Sequence, residues 1–110
     1  MNSININQKR IIGSIECLTK KQIDKHIKQI KKLKLDYKII IDINNEYTII
    51  YYKNNKQAKK ALSIYLKYEK SGGELDSISL KQHRFLGECF GYDEDEIGWF
   101  IEDIKDEYQL

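Results

Sequence analysis

Residues 37–52, YKIIIDINNEYTIIYY, decide the fold. Two β-rich runs, Tyr37–Ile43 and Glu46–Tyr52, flank Asn44-Asn45, a pair whose side chains tolerate the positive φ that a two-residue hairpin connection requires. A β-hairpin is therefore predicted at the centre of the chain.

Upstream, Arg10–Cys17 alternates Ile11, Gly13, Ile15 and Cys17 against Ile12, Ser14 and Glu16, which reads as a strand with one face better buried. Thr19 with Gln22 then forms the capping-box spacing, and Leu18 with Ile23 the hydrophobic staple, so a helix begins there. Its Ile23, Ile27, Ile30 and Leu33 fall on one side, opposite Lys21, Lys25, Lys28 and Lys32. Downstream of the hairpin, Asn54 or Asn55 can cap a second helix to about Lys70. That helix turns Ala58, Ala61, Leu62, Tyr65 and Leu66 inward and Lys56, Lys59, Lys60, Lys67 and Lys70 outward. The order is β-α-β-β-α. Both helices are expected on one sheet face, their lysines forming neighbouring basic ridges.

Gly72-Gly73 breaks the chain. Beyond it, Ser77 or Ser79 can cap a short helix through Phe90, and Gly91 can end that helix in the left-handed conformation. Asp93 with Glu96, and Tyr92 with Ile97, repeat the box and staple and start a last helix at once. The predicted fold class is α+β: a βαββα layer over residues 10–70 and a helical hairpin over 74–110, in one domain of 110 residues. The hairpin is expected on the sheet face left open by the first two helices, or at the end of the layer.

The same division separates charge. Met1–Lys70 carries 16 basic and 6 acidic residues, whereas Ser71–Leu110 carries 3 and 11, so a total near neutrality hides a strong dipole. Nineteen isoleucines without a valine, and 17 lysines against 2 arginines, follow A/T-rich codons and describe a host genome or a mobile element. No apolar run approaches the roughly 20 residues that cross a bilayer, and no signal-type h-region is present. Membrane partners are excluded, and a cytoplasmic location in a host cell with reduced thiols is expected.

No phosphate loop, nucleophile elbow or paired-cysteine metal motif occurs, so no catalytic residue, metal or cofactor is assigned and a non-enzymatic protein is expected. His83 with Cys89, or His26 with Cys17, lacks metal-ligand spacing and reads as buried cysteine and surface histidine. The acidic run Asp93–Glu96 is explained by its place at a helix start. Two surfaces remain. Trp99 projects among Asp95, Glu102, Asp103 and Asp106, away from Ile97, Ile101, Ile104 and Tyr108, and reads either as an interface anchor for a basic protein surface or as packed on the preceding helix or the basic layer. Lys21, Lys28, Lys32, Lys56, Lys60 and Lys67 form a candidate nucleic-acid footprint, with Tyr47, Tyr51 and Tyr52 for base stacking, against the plainer reading of a solvated face. The opposed charge blocks equally permit a head-to-tail homodimer.

The stretch from His83 to Tyr92, HRFLGECFGY, followed by Glu96-Ile97 and Phe100, resembles a Leu-Gly, Gly-Tyr, Ile, Phe pattern at the ends of small phage and prokaryotic proteins. The chain as a whole resembles, in type, the anti-CRISPR inhibitors of phages. That resemblance implies a phage-encoded inhibitor that occludes a charged surface of a bacterial defence protein or ribonucleoprotein. The alternatives are a nucleic-acid-binding regulator and a protein that binds or degrades a signalling nucleotide.

Overall fold

A computed structural model describes residues 4–17, 19–41 and 46–108. It contains β1 (Ile12–Cys17), α1 (Lys20–Lys32), β2 (Asp36–Ile41), β3 (Tyr47–Tyr52), α2 (Lys56–Lys70), a 3₁₀ turn at Leu75–Ser77, α3 (Leu80–Cys89) and α4 (Glu94–Tyr108). The strands form one antiparallel sheet in the order β1-β3-β2. The fold is α+β, with the βαββα layer and C-terminal helical hairpin that the sequence predicts. The Asn44-Asn45 connection and the Leu18 half of the first staple lie outside the described residues. Ile41 pairs with Tyr47, which leaves residues 42–46 between the paired ends.

Local chemistry starts and stops the helices as the residue types demand. Thr19 and Ser79 each make a complete capping box with Gln22 and Gln82, and Asn55 accepts from the Ala58 amide at 2.8 Å. At the other ends, Lys34, Gly72 and Gly91 adopt positive φ. In each case the next amide reaches back to the last turn: Leu35 to Ile30, Gly73 to Tyr68, and Tyr92 to Gly87, at 3.0–3.2 Å. Lys34 is the exception in residue type, since a side chain there carries the left-handed strain that glycine avoids.

The expectation that both basic helices share a sheet face is corrected. Ile15, Cys17, Ile49 and Tyr51 bury against Ile23 and Ile30 of α1, whereas Ile12 and Ile50 bury against Ala58, Ala61 and Ile64 of α2 and Leu86 and Cys89 of α3. Successive strand residues point to opposite faces. Because β1 and β3 place isoleucine on both, the sheet has two apolar faces and takes a helix on each. The hairpin therefore joins α2 on its face. Leu33, read as part of the α1 core stripe, is the C-cap and is half exposed, and Ile64 takes a core position on α2.

The hairpin is tied to the sheet by backbone as well as by packing. The Ile11 amide donates to the Cys89 carbonyl at 2.9 Å, so the end of α3 abuts the start of β1. A β-carbon on Gly91 would stand 3.0 Å from Arg10 Cβ, and one on Gly87 2.9 Å from Ile97 Cγ1, which lets α3 and α4 approach closely. Ile97, Ile101 and Ile104 are buried along α4.

Candidate functional site

A cleft of about 440 Å³ opens between the hairpin and the layer, lined by Ser14 of β1, Tyr65 and Tyr68 of α2, His83, Leu86, Gly87 and Phe90 of α3, Tyr92 in the turn, and Glu96, Ile97 and Phe100 of α4. The size and mostly apolar wall with a few polar groups are those of a small-molecule site. It lies where α2 and α3 run side by side on one sheet face and α4 packs closely on α3 at Gly87.

His83 organises one wall. It was expected at the surface and is instead 6% exposed. Its place in the stripe Leu80, His83, Leu86, Phe90 is the signal that puts it inward, because those positions share the face of α3 that carries Leu86. His83 Nε2 lies 2.6 Å from the Leu75 carbonyl, which can only accept, so Nε2 bears the proton. The ring meets Tyr68 and Phe100 edge-on, with centroids 5.7 and 5.5 Å away. One side chain thus ties the 3₁₀ turn, α2 and α4 together.

Tyr65 crosses the second wall, tilted against Phe90 at 5.3 Å, with Ser14 and Glu69 nearby. Burial, with the Glu69 carboxylate beside it, pushes its phenol up to about 12. Tyr68 shifts in the same direction, through burial first and Glu69 second. The cleft therefore presents neutral phenols. Glu96 is the acid among the lining residues; one of its oxygens accepts from the Asp93 amide at 3.3 Å in the capping box of α4. Asp93 Oδ1 in turn accepts from the Glu96 amide at 2.9 Å, and that bond above all holds the Asp93 carboxyl below its ordinary value.

The residues singled out in the sequence fall elsewhere. Trp99 is 69% exposed, so it does not pack on the preceding helix or the basic layer, and Asp95, Glu102, Asp103 and Asp106 are exposed with it. Lys21, Lys28 and Lys32 on α1 and Lys56, Lys60 and Lys67 on α2 are exposed, but the two helices lie on opposite sides of the sheet, so the structure does not join them into one ridge. Lys60 lies 5.0 Å from the centre of the Phe85 ring. Tyr51, expected to be available for stacking, is 1% exposed because it faces α1 in the middle strand; Tyr47 and Tyr52 are half-buried. Cys17 and Cys89 are buried free thiols. Burial raises both, Cys89 to about 11 with Glu88 adding to the effect, so neither is a ready nucleophile. Among the described residues, no group of three or more His, Cys, Asp or Glu side chains is placed to hold a metal, and no helix is long and apolar enough to cross a membrane.

No protein-family model matches the chain, and no curated protein matches it. Among solved structures it is similar to the bacterial cysteine methyltransferase effector NleE, with a TM-score of 0.61 and 20% identity over 92% of this chain. The matched region is 57% of that protein's chain, so this chain spans little more than half of its length. At this identity the likeness is one of fold. It overturns the expectation of a non-enzymatic protein, which rested on missing motifs, because a similar fold occurs in a methyltransferase. The likeness has no bearing on the phage-inhibitor resemblance.

Proposed function

We propose that the chain is the ligand-holding fold of a small-group transferase, its aromatic cleft seating an adenosyl-type sulfonium methyl donor, with a protein thiol as the acceptor class. The observation that carries this reading is the cleft itself, and the fold likeness to a cysteine methyltransferase effector supplies the reaction class. The lining suits such a ligand. Rings of Tyr65, Tyr68, Phe90 and Phe100 can take a nucleobase by stacking and a sulfonium over a ring face, and Glu96 at the rim adds opposite charge. The donor, when bound, supplies an activated methyl group. The chain's own contribution is to hold and orient: His83 fixes the wall through Leu75, the Tyr65 phenol stays neutral as a hydrogen-bond donor, and the apolar lining excludes water.

Thermal unfolding with S-adenosylmethionine and with S-adenosylhomocysteine tests it. A ligand at a hundred times its dissociation constant stabilises by about 2.7 kcal/mol, and Phe100→Ala should reduce that gain without unfolding the protein. No stabilisation by either compound removes the reading. Stabilisation by nucleotides alone would replace it with the signalling-nucleotide alternative.

The exposed Trp99 favours a second reading, in which the acidic hairpin occupies a basic groove of a host-defence protein or ribonucleoprotein in a reducing cytoplasm. Its measure is a pull-down with candidate effector complexes: undiminished binding after Trp99→Ala and Asp103→Lys would remove the anchor.

A further inference from the structure

The outer face of α4 is unlike the rest of the surface. Trp99 is the single tryptophan of the chain and stands 69% exposed, with Asp95 and Asp103 four residues either side, Glu96 and Glu102 three residues either side, and Asp106 one turn further. At helical spacing these carboxylates ring the indole. Glu102 is partly engaged by Lys105 at 3.4 Å, while Asp95, Asp103 and Asp106 make no ion pair among the described residues. Of these, Glu102 and Asp103 stand at repelling spacing from Asp106, whereas Asp95 and Glu96 lie in the first turn, where the helix dipole favours acids.

The face also runs into the cleft. Glu96 belongs to both, and Phe100, next to Trp99 and 43% exposed, lines the cleft mouth. A ligand lying along α4 across Trp99 would therefore meet the cleft at Phe100. Its charge is dictated by the carboxylates, which repel phosphates and anionic lipid, and its contact with the indole is best made by an ammonium or guanidinium over the ring.

Building on the transferase reading, we propose that this face is a docking track for a lysine- and arginine-rich polypeptide segment, and that the substrate is a protein whose acceptor residue lies beside such a segment. The track supplies encounter rate and register, and the cleft supplies chemistry.

Because Trp99 is the only tryptophan, its fluorescence reads the track directly. Titrating the full chain with a tryptophan-free Lys/Gly peptide should give a saturable change in emission. The dissociation constant should rise about tenfold or more when salt goes from roughly 25 to roughly 250 mM. Asp95→Lys with Asp103→Lys should weaken binding about tenfold, whereas Asp76→Lys with Glu88→Lys, the same charge change at exposed sites off α4, should weaken it far less. Equal loss in the two variants would show attraction to net charge alone and overturn the track, as would no emission change at low salt. Concentration-dependent self-association abolished by the same α4 reversal would overturn it in favour of a second copy as occupant. Donor-dependent thermal stabilisation, measured on the same variants, separates the two readings: retained stabilisation with lost peptide binding isolates the track, and lost stabilisation with retained peptide binding sinks the transferase.

Discussion

Tyr51 lies across Gly13. The two residues are partners in the β1–β3 ladder, and a β-carbon on Gly13 would stand 2.5 Å from both Cζ and Oη of the tyrosine. The ring fills the space a side chain would take and closes the α1 face of the sheet. Gly13→Ala should therefore lower unfolding free energy by about 1–3 kcal/mol, the range for overpacking a core. Chemical denaturation of a double-mutant cycle checks the cause: in a Tyr51→Ala background the alanine should cost little, and an equal cost in both backgrounds would show that the ring is not responsible.

Lys34 ends α1 at φ 58, while the other two helix stops of this type use Gly72 and Gly91. Lys34→Gly should raise stability by about 0.5–1 kcal/mol, relief of left-handed strain outweighing the added chain entropy. Gly91→Ala should do the reverse and by more, because Arg10 Cβ also stands in the way. Urea midpoints of the two variants should move in opposite directions.

Alkaline pH should destabilise this protein, most strongly through two groups in the α2–α3 layer. The Cys89 thiol goes from an ordinary value of 9.0 up to about 11, and the Tyr65 phenol from 10.0 up to about 12, both chiefly by burial. A group raised in the folded state binds its proton longer there than in the unfolded chain. Its contribution is complete below the ordinary value and is lost as pH rises through the folded one. Stability should fall from about pH 9 and keep falling to about pH 12. Tyr65→Phe should flatten the upper part of that decline, and an unchanged profile in this variant would place the cause elsewhere.

His83 has one bond that only a ring N–H can make, to the Leu75 carbonyl. His83→Phe keeps a ring between Tyr68 and Phe100 but removes the donor, and should cost about 1–3 kcal/mol for the unmet carbonyl. Amide exchange should show the loss confined to the Leu75–Ser77 turn and its neighbours. Uniform loosening of the sheet would contradict this account.

Trp99 should behave as a solvated indole in the free protein, with efficient acrylamide quenching, and Trp99→Ala should change stability by no more than about 0.5 kcal/mol. A blue-shifted, unquenched emission would mean that the ring is covered.

Sequence by itself determined whatever depends on residues close in the chain. The capping box at Thr19, the stop at Gly91, the restart at Asp93, the strand alternation and the outward turn of Trp99 all follow from spacings of a few residues. Backbone hydrogen-bonding groups at helix ends and side-chain periodicity act over that range. Which sheet face each helix covers is a different kind of fact. Ile12 and Ile15 offer both faces equal apolar surface, so only the packing of α1 on one side and α2 with α3 on the other decides it, and with it the separation of the two lysine faces. The cleft was illegible for the same reason: Ser14, Tyr65, His83 and Phe100 come from four distant segments, and no local pattern records that burying α3 and α4 beside α2 leaves space between them.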